Sequence, residues 1–154
     1  MVKTKITGLD KLSADIRKKL LTIADKDKVL RIVATTMCAE VRERIHEEGL
    51  NAGGAQIGTY DDKYLKVRQK KYGRTGSRKV IISLTRQLEN DFSIGQTNPI
   101  KTANGWGLGF KNVFNADKSM WMEEKYGKIW SLTNTEKKQT QQIADGETNK
   151  ILKK

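Results

Sequence analysis

A single α+β domain is the fold the sequence predicts, and three patterns predict it. Apolar residues recur at helical spacing over residues 8–23 and again between Asp27 and Gly49. Further on, Trp106, Leu108 and Phe110 alternate with Gly107, Gly109 and Lys111, the period of two expected of a half-buried strand. Between these regions, from Gly49 to Lys79, neither period is present and basic residues accumulate. The expected order is two N-terminal helices, a long basic arm over about 49–79, a small and mainly antiparallel sheet, and a C-terminal helix over 134–154. All of it forms one structural domain, residues 1–154.

The first helix is expected over 8–23, with Thr7 as its cap and Leu9, Leu12, Ile16, Leu20 and Ile23 along one stripe. Asp27 should cap the second, in which Leu30, Val33 or Ala34, Met37, Val41 and Ile45 repeat, and Gly49 should stop it. After the arm comes Val80-Ile81-Ile82, an apolar run too short for a helix. Leu84, Leu88 and Phe92 then sit four residues apart, which predicts a short helix from Ser83 or Thr85 to Asp91. Phe92 and Ile94 begin a strand, Asn98-Pro99 turns the chain, and Trp106–Phe110 forms the second strand. Glycine inside a strand points to a close neighbour or to a bulge, and Gly107 and Gly109 fit either. Asn115-Ala116-Asp117 reads as the start of a helix to about Glu124, closed by Gly127. Thr133 and Glu136 have the spacing of a capping box and open the last helix. That helix has few large apolar residues and an internal Gly146, so it is expected to fray or to find its partner on another subunit.

Composition narrows the function. Thirty Lys+Arg against eighteen Asp+Glu give a net charge of +12, which favours polyanions, acidic membranes or acidic protein surfaces. Mean hydropathy is −0.66 and only 36% of residues are apolar, so part of the chain is expected to lie outside the core. One cysteine, Cys38, rules out an internal disulfide and most zinc sites, since beyond it and one histidine, His46, no thiol or imidazole exists to complete a zinc shell. Cys38 is expected to pack between helices, and His46 to be exposed or to interact with the helix dipole near a helix C-terminus rather than to act as a ligand. No apolar run approaches the roughly 18–20 residues of a membrane span, and the first residues lack a signal-peptide core. The expectation is a soluble protein made in a reducing compartment.

A lone histidine on a charged helix end is a poor base for a nucleophile, and no carboxylate pair has a spacing beyond that of caps and solvated faces. The glycines at 105, 107 and 109 have neither a following helix nor a Gly-Lys-Ser/Thr, so a phosphate loop is not expected. No catalysis, cofactor or metal is therefore expected. The remaining candidate is Tyr60–Lys79, in which Lys63, Lys66, Arg68, Lys70, Lys71, Arg74, Arg78 and Lys79 face only Asp61 and Asp62. Tyr60, Tyr64 and Tyr72 are interleaved with these cations, an arrangement suited to stacking bases between phosphate contacts. A solvated basic loop and an arm that docks on an acidic neighbour fit the same residues.

The order of short motifs carries a resemblance. Arg44-Ile45 lead to Gly49; Ile57-Gly58-Thr59-Tyr60 and Tyr64 precede Ser77-Arg78-Lys79-Val80. Leu84, Leu88 and Phe92 follow, then a strand pair, then Tyr126-Gly127, Ile129-Trp130 and Leu132-Thr133 with Glu136. Over about 30–145 this resembles the tail-completion or neck proteins of tailed bacteriophages, which act in virion morphogenesis where head and tail join. The resemblance implies a non-catalytic subunit of a ring, commonly a hexamer, around the DNA channel. It implies partners among head-completion or stopper, tail-terminator and tail-tube proteins, non-specific contact with channel DNA, no membrane partner, and a place in the virion after synthesis in the host cytoplasm. Tyr60, Tyr64, Arg68, Lys70, Lys71 and Arg74 are the arm residues expected to make the assembly contacts. Trp106, Leu108 and Phe110 are expected in the core, and Trp121, Tyr126 and Trp130 in the core or a subunit interface. The alternative is a basic nucleic-acid-binding protein that uses segment 60–79.

Overall fold

The computed structural model describes residues 26–74, 76–92, 100–103 and 105–152, so the helix expected over 8–23 and the strand expected after Phe92 lie outside the described residues. The frame is a pair of packed helices, α1 (Lys26–Glu43) and α5 (Asn134–Leu152). Val29, Val33, Met37, Cys38 and Val41 form the buried stripe of α1 at the expected spacing. Asp27 lies inside the first turn rather than before it and accepts a hydrogen bond from Trp106 Nε1 (3.1 Å). One π-helical turn, Arg44–Glu48, extends α1 and buries Arg44, Ile45 and His46. Gly49 then ends it at φ 68, where a β-carbon would lie 2.7 Å from the Val80 carbonyl oxygen. No other residue type fits that point without moving backbone.

His46 is therefore not exposed, as the helix-end position implied, but 2% accessible. The widened turn swings its ring inward, 6.0 Å from that of Trp130, with Nδ1 3.1 Å from the Ile81 carbonyl. Burial holds its pKa below the ordinary histidine value against the pull of that carbonyl and of Glu89. Cys38 packs as expected, its thiol donating to the Phe92 carbonyl. Burial, only partly offset by Arg42, lifts the thiol to about 11, so it stays protonated at neutral pH.

The region 49–79 differs most from expectation. Far from an extended arm, it contains α2 (Asp62–Tyr72), capped by Asp61, whose carboxylate accepts from the Tyr64 amide (2.8 Å). Gly73 closes it in the left-handed conformation. Leu65 and Arg68 are the side chains it buries, and a buried arginine does not register in an apolar pattern. Hydrogen bonds from Tyr60 N to Arg78 O (2.7 Å) and from Val80 N to Gly58 O (3.0 Å) tie the two flanks of α2 together. The segment is thus part of the body.

The expected sheet is smaller than the sequence suggested. Among the described residues its named strands are β1 (Ile100–Thr102) and β2 (Gly105–Gly107), paired antiparallel with Lys101 opposite Trp106. Single-pair bridges join Leu50 to Gln56 and Thr59 to Lys79. The alternation fails after Gly107 because Leu108, Gly109 and Phe110 all turn into the core. Trp106 stays half-buried, with the Arg31 guanidinium 5.6 Å from its ring centroid. The described chain is mostly helical.

A short helix α3 (Gln87–Asp91) begins later than its leucine spacing implied, because Arg86 enters it in the left-handed conformation at φ 60. Helix α4 (Val113–Tyr126) begins earlier, capped by Asn112 rather than Asn115, and ends at Gly127 as expected. The capping box of α5 forms as read, with Glu136 N donating to Thr133 Oγ1 (3.1 Å) and Thr133 N to Glu136 Oε2 (2.6 Å). Helix α5 runs through Gly146, and Thr140, Ala144 and Thr148 are buried along it. Small side chains let it approach α1 closely, so its few large apolar residues do not leave it partnerless. At the centre, Phe92, Phe110 and Trp130 form a ring cluster with centroids 4.8–5.2 Å apart.

Candidate functional site

A groove of about 700 Å³ lies between helices α2 and α4. Its floor is made by Val80, Ile82 and Leu88 and its walls by Tyr60 and Tyr64 on one side and Trp121 and Tyr126 on the other. Five of the nine residues singled out from the sequence meet here: Tyr60, Tyr64, Arg68, Trp121 and Tyr126. Two neighbours of the groove, Ile82 and Arg86, have positive φ (43 and 60), and for a β-branched residue such as Ile82 that backbone costs on the order of 1–3 kcal/mol.

Arg68 is the central group. Only 2% of it is accessible, its guanidinium carbon lies 4.3 Å from the Tyr60 ring centroid and 5.8 Å from that of Tyr64, and Nη2 donates to the Ser83 carbonyl (2.9 Å). Its Nε–H is buried without a partner, and no carboxylate among the described residues pairs with it. Burial raises the pKa of Tyr60 more than the nearby Arg68 charge lowers it, so the phenol stays neutral. The Tyr60 hydroxyl accepts from the Ile81 amide (3.3 Å).

The other expected site residues separate. Lys70 and Lys71 are exposed on α2, facing solvent with Lys63 and Lys66. Arg74 folds back, its Nε and Nη2 both donating to the Leu84 carbonyl (2.9 and 2.8 Å), and closes the loop after α2. Trp130 lies in the core, 3% accessible.

Sequence reasoning missed two features. Helix α4 exposes Val113, Phe114, Met120 and Trp121, with Phe114 75% and Trp121 62% accessible. Val113 and Met120, like Phe114 and Trp121, are seven residues apart and so share one face. The second is the buried pair Arg44 and Glu136, Nε to Oε1 2.6 Å, which joins the end of α1 to the start of α5. Arg44 also donates to the carbonyls of Leu50, Ile129 and Ser131. A wider, polar cleft opens beside this pair, lined by Glu40, Glu43 and Glu48. Four of the five N–H groups of Arg44 are engaged by Glu136 and the three carbonyls. A third buried ionic group, Glu89, accepts from Arg42 Nη2 and Ser83 Oγ (both 2.9 Å). Burial pushes its carboxyl up, but these hydrogen bonds outweigh it and hold the pKa below the usual carboxylate value.

Among the described residues no group of three or more His, Cys, Asp or Glu is placed to hold a metal ion, and no helix is long and apolar enough to cross a membrane. No protein-family model, curated protein or solved structure matches the chain.

Proposed function

We propose that the chain is a non-catalytic assembly subunit of a bacteriophage head–tail junction, a neck or tail-completion protein that closes into a ring around the DNA channel, six copies on the family pattern. The observation that carries this reading is the apolar outer face of α4. A small, highly charged chain that leaves Phe114 and Trp121 in solvent presents a surface made to be covered by protein. The motif order from Arg44 to Glu136 supplies the identity of the assembly. The charge of +12 suits acidic neighbours and the DNA that passes through. On this reading the hairpin of β1 and β2 belongs to the family's antiparallel sheet, and the virion is the chain's destination.

A second reading, a basic nucleic-acid-binding protein, is favoured by one observation: Lys63, Lys66 and Lys70 are exposed three and four residues apart along α2. Sedimentation of the purified chain, paired with a duplex titration, separates the two. The assembly reading expects closed oligomers well above the 17.5 kDa monomer, reduced to monomer by the double substitution Phe114→Ser and Trp121→Ser with helix content unchanged. It also expects duplex affinity to fall by at least about tenfold between about 50 and 200 mM salt, as non-specific phosphate contacts do. A monomer at every concentration, with duplex binding that survives the higher salt, would replace the first reading by the second.

A further inference from the structure

We infer that the groove between α2 and α4 is a receptor for an acidic, apolar-flanked segment of a partner protein, with Arg68 as the buried cation that receives its carboxylate. It deepens the assembly reading and rests on it in taking the occupant to be protein.

Three observations carry it. The Arg68 guanidinium is buried at the wall of the groove with no counter-ion among the described residues, and its Nε–H has no partner. A buried cation in that condition is costly, and a carboxylate in bidentate contact is the group that relieves it best. The rings of Tyr60 and Tyr64 hold the guanidinium in place through their faces, so little order is lost when a ligand arrives. The rim has the same sign: Arg86, Lys118 and Lys125 border the groove against Asp61, whose carboxylate is occupied in capping α2. Among the described residues Lys118 reaches only Gln87 (3.3 Å), and Lys125 lies over the Tyr126 ring (5.0 Å), so both are available to steer an anion. Trp121 at the lip and Leu88 on the floor supply the apolar surface for flanking side chains.

Charge also selects among occupants. The chain's own apolar stripe at 8–23 carries Lys11, Arg17, Lys18 and Lys19 against Asp10 and Asp15, the same sign as the rim. The cationic rim likewise disfavours a second copy of this +12 chain as the groove's occupant, which leaves the ring contact to the apolar outer face of α4 around Phe114. An acidic segment of a different protein is the complementary choice.

The test uses the full chain and a synthetic amphipathic peptide of about fifteen residues, Leu at every third or fourth position and Glu elsewhere. Its controls are the same peptide with Lys for Glu and an oligo-dT of equal length. Fluorescence anisotropy should show binding of the acidic peptide and none of the basic one. Trp121→Ala, and Lys118→Glu with Lys125→Glu, should each weaken it by at least about tenfold. All three positions lie on the outer part of α4, so these variants keep the fold even where Arg68→Met does not. Lys70→Glu with Lys71→Glu, away from the groove, should leave it within about twofold. Equal binding of both peptides, indifference to the groove substitutions, loss of binding in the Lys70/Lys71 variant, or displacement of the peptide by oligo-dT would each overturn the inference. If the peptide binds as expected while the chain never oligomerises, the ring fails and the groove stands. If rings form but the peptide does not bind, the reverse holds.

Discussion

Replacing Arg44 by alanine is expected to lower the folding free energy by about 3–5 kcal/mol, a large share of what a domain this size has. The side chain is almost fully buried and four acceptors depend on it: Glu136 and the carbonyls of Leu50, Ile129 and Ser131. Alanine leaves Glu136 as a buried carboxylate without its cation, and the carbonyls lose a donor that water reaches poorly. Glu136→Gln is the informative companion. Its one oxygen can still accept from the Thr133 amide while its NH2 turns toward Arg44 Nε, so that contact is lost, but Arg44 keeps its three carbonyl acceptors and the loss should be smaller. Urea unfolding monitored by circular dichroism measures both. A midpoint shift with unchanged slope reports stability alone. Equal losses for the two variants would mean that the ionic charge, not the hydrogen-bond framework, is what Arg44 supplies.

Trp130→Ala should cost a similar amount, about 3–5 kcal/mol, for a different reason. Trp130 meets Phe110 edge to face at 4.8 Å, Phe92 at 5.2 Å and His46 at 6.0 Å, so truncation opens a cavity where α1, α3 and the chain after β2 converge. Its indole N–H is buried with no partner, which makes Trp130→Phe an instructive control. Phenylalanine keeps most of the ring contacts and removes an unsatisfied donor, so less than about half of the loss should remain. The same urea experiment reads the pair. A Phe variant as damaged as the Ala variant would show that the indole nitrogen has a bonding role.

What could be read from the sequence was what large apolar residues write. Val33, Met37, Val41 and Ile45 declare α1 and the turn that extends it, and Thr133 with Glu136 declares the start of α5 through a local hydrogen-bond pattern that needs no tertiary context. Helix α2 was illegible because its buried face is Leu65 and an arginine, and Lys63, Lys66, Lys70 and Lys71 make the rest look like a solvated loop. The packing of α5 was hidden likewise, since Thr140, Ala144 and Thr148 bury well but weigh little in any apolar count. His46 was misplaced by a single π turn, which rotates the ring to the inside by one extra residue. For the candidate site, the basic and tyrosine-rich segment pointed to Tyr60, Tyr64 and Arg68. Trp121 and Tyr126 were expected in the core or a subunit interface, but that they would meet Tyr60 and Tyr64 in one groove was not legible, because it depends on how α4 packs. The resemblance to neck proteins pointed to an arm whose residues make the assembly contacts; in this chain the same residues are folded against the body.

That difference decides the account, because the groove exists only if α2 is a helix in the free chain. Hydrogen exchange of the isolated protein, followed by mass spectrometry over 61–74, measures it directly. With Leu65 and Arg68 buried, the amides from about Lys66 to Tyr72 should exchange at least about 100-fold more slowly than in an unstructured chain. Exchange across the whole segment at the rate of an unfolded peptide would mean that no groove is present before a partner binds, and would contradict the account.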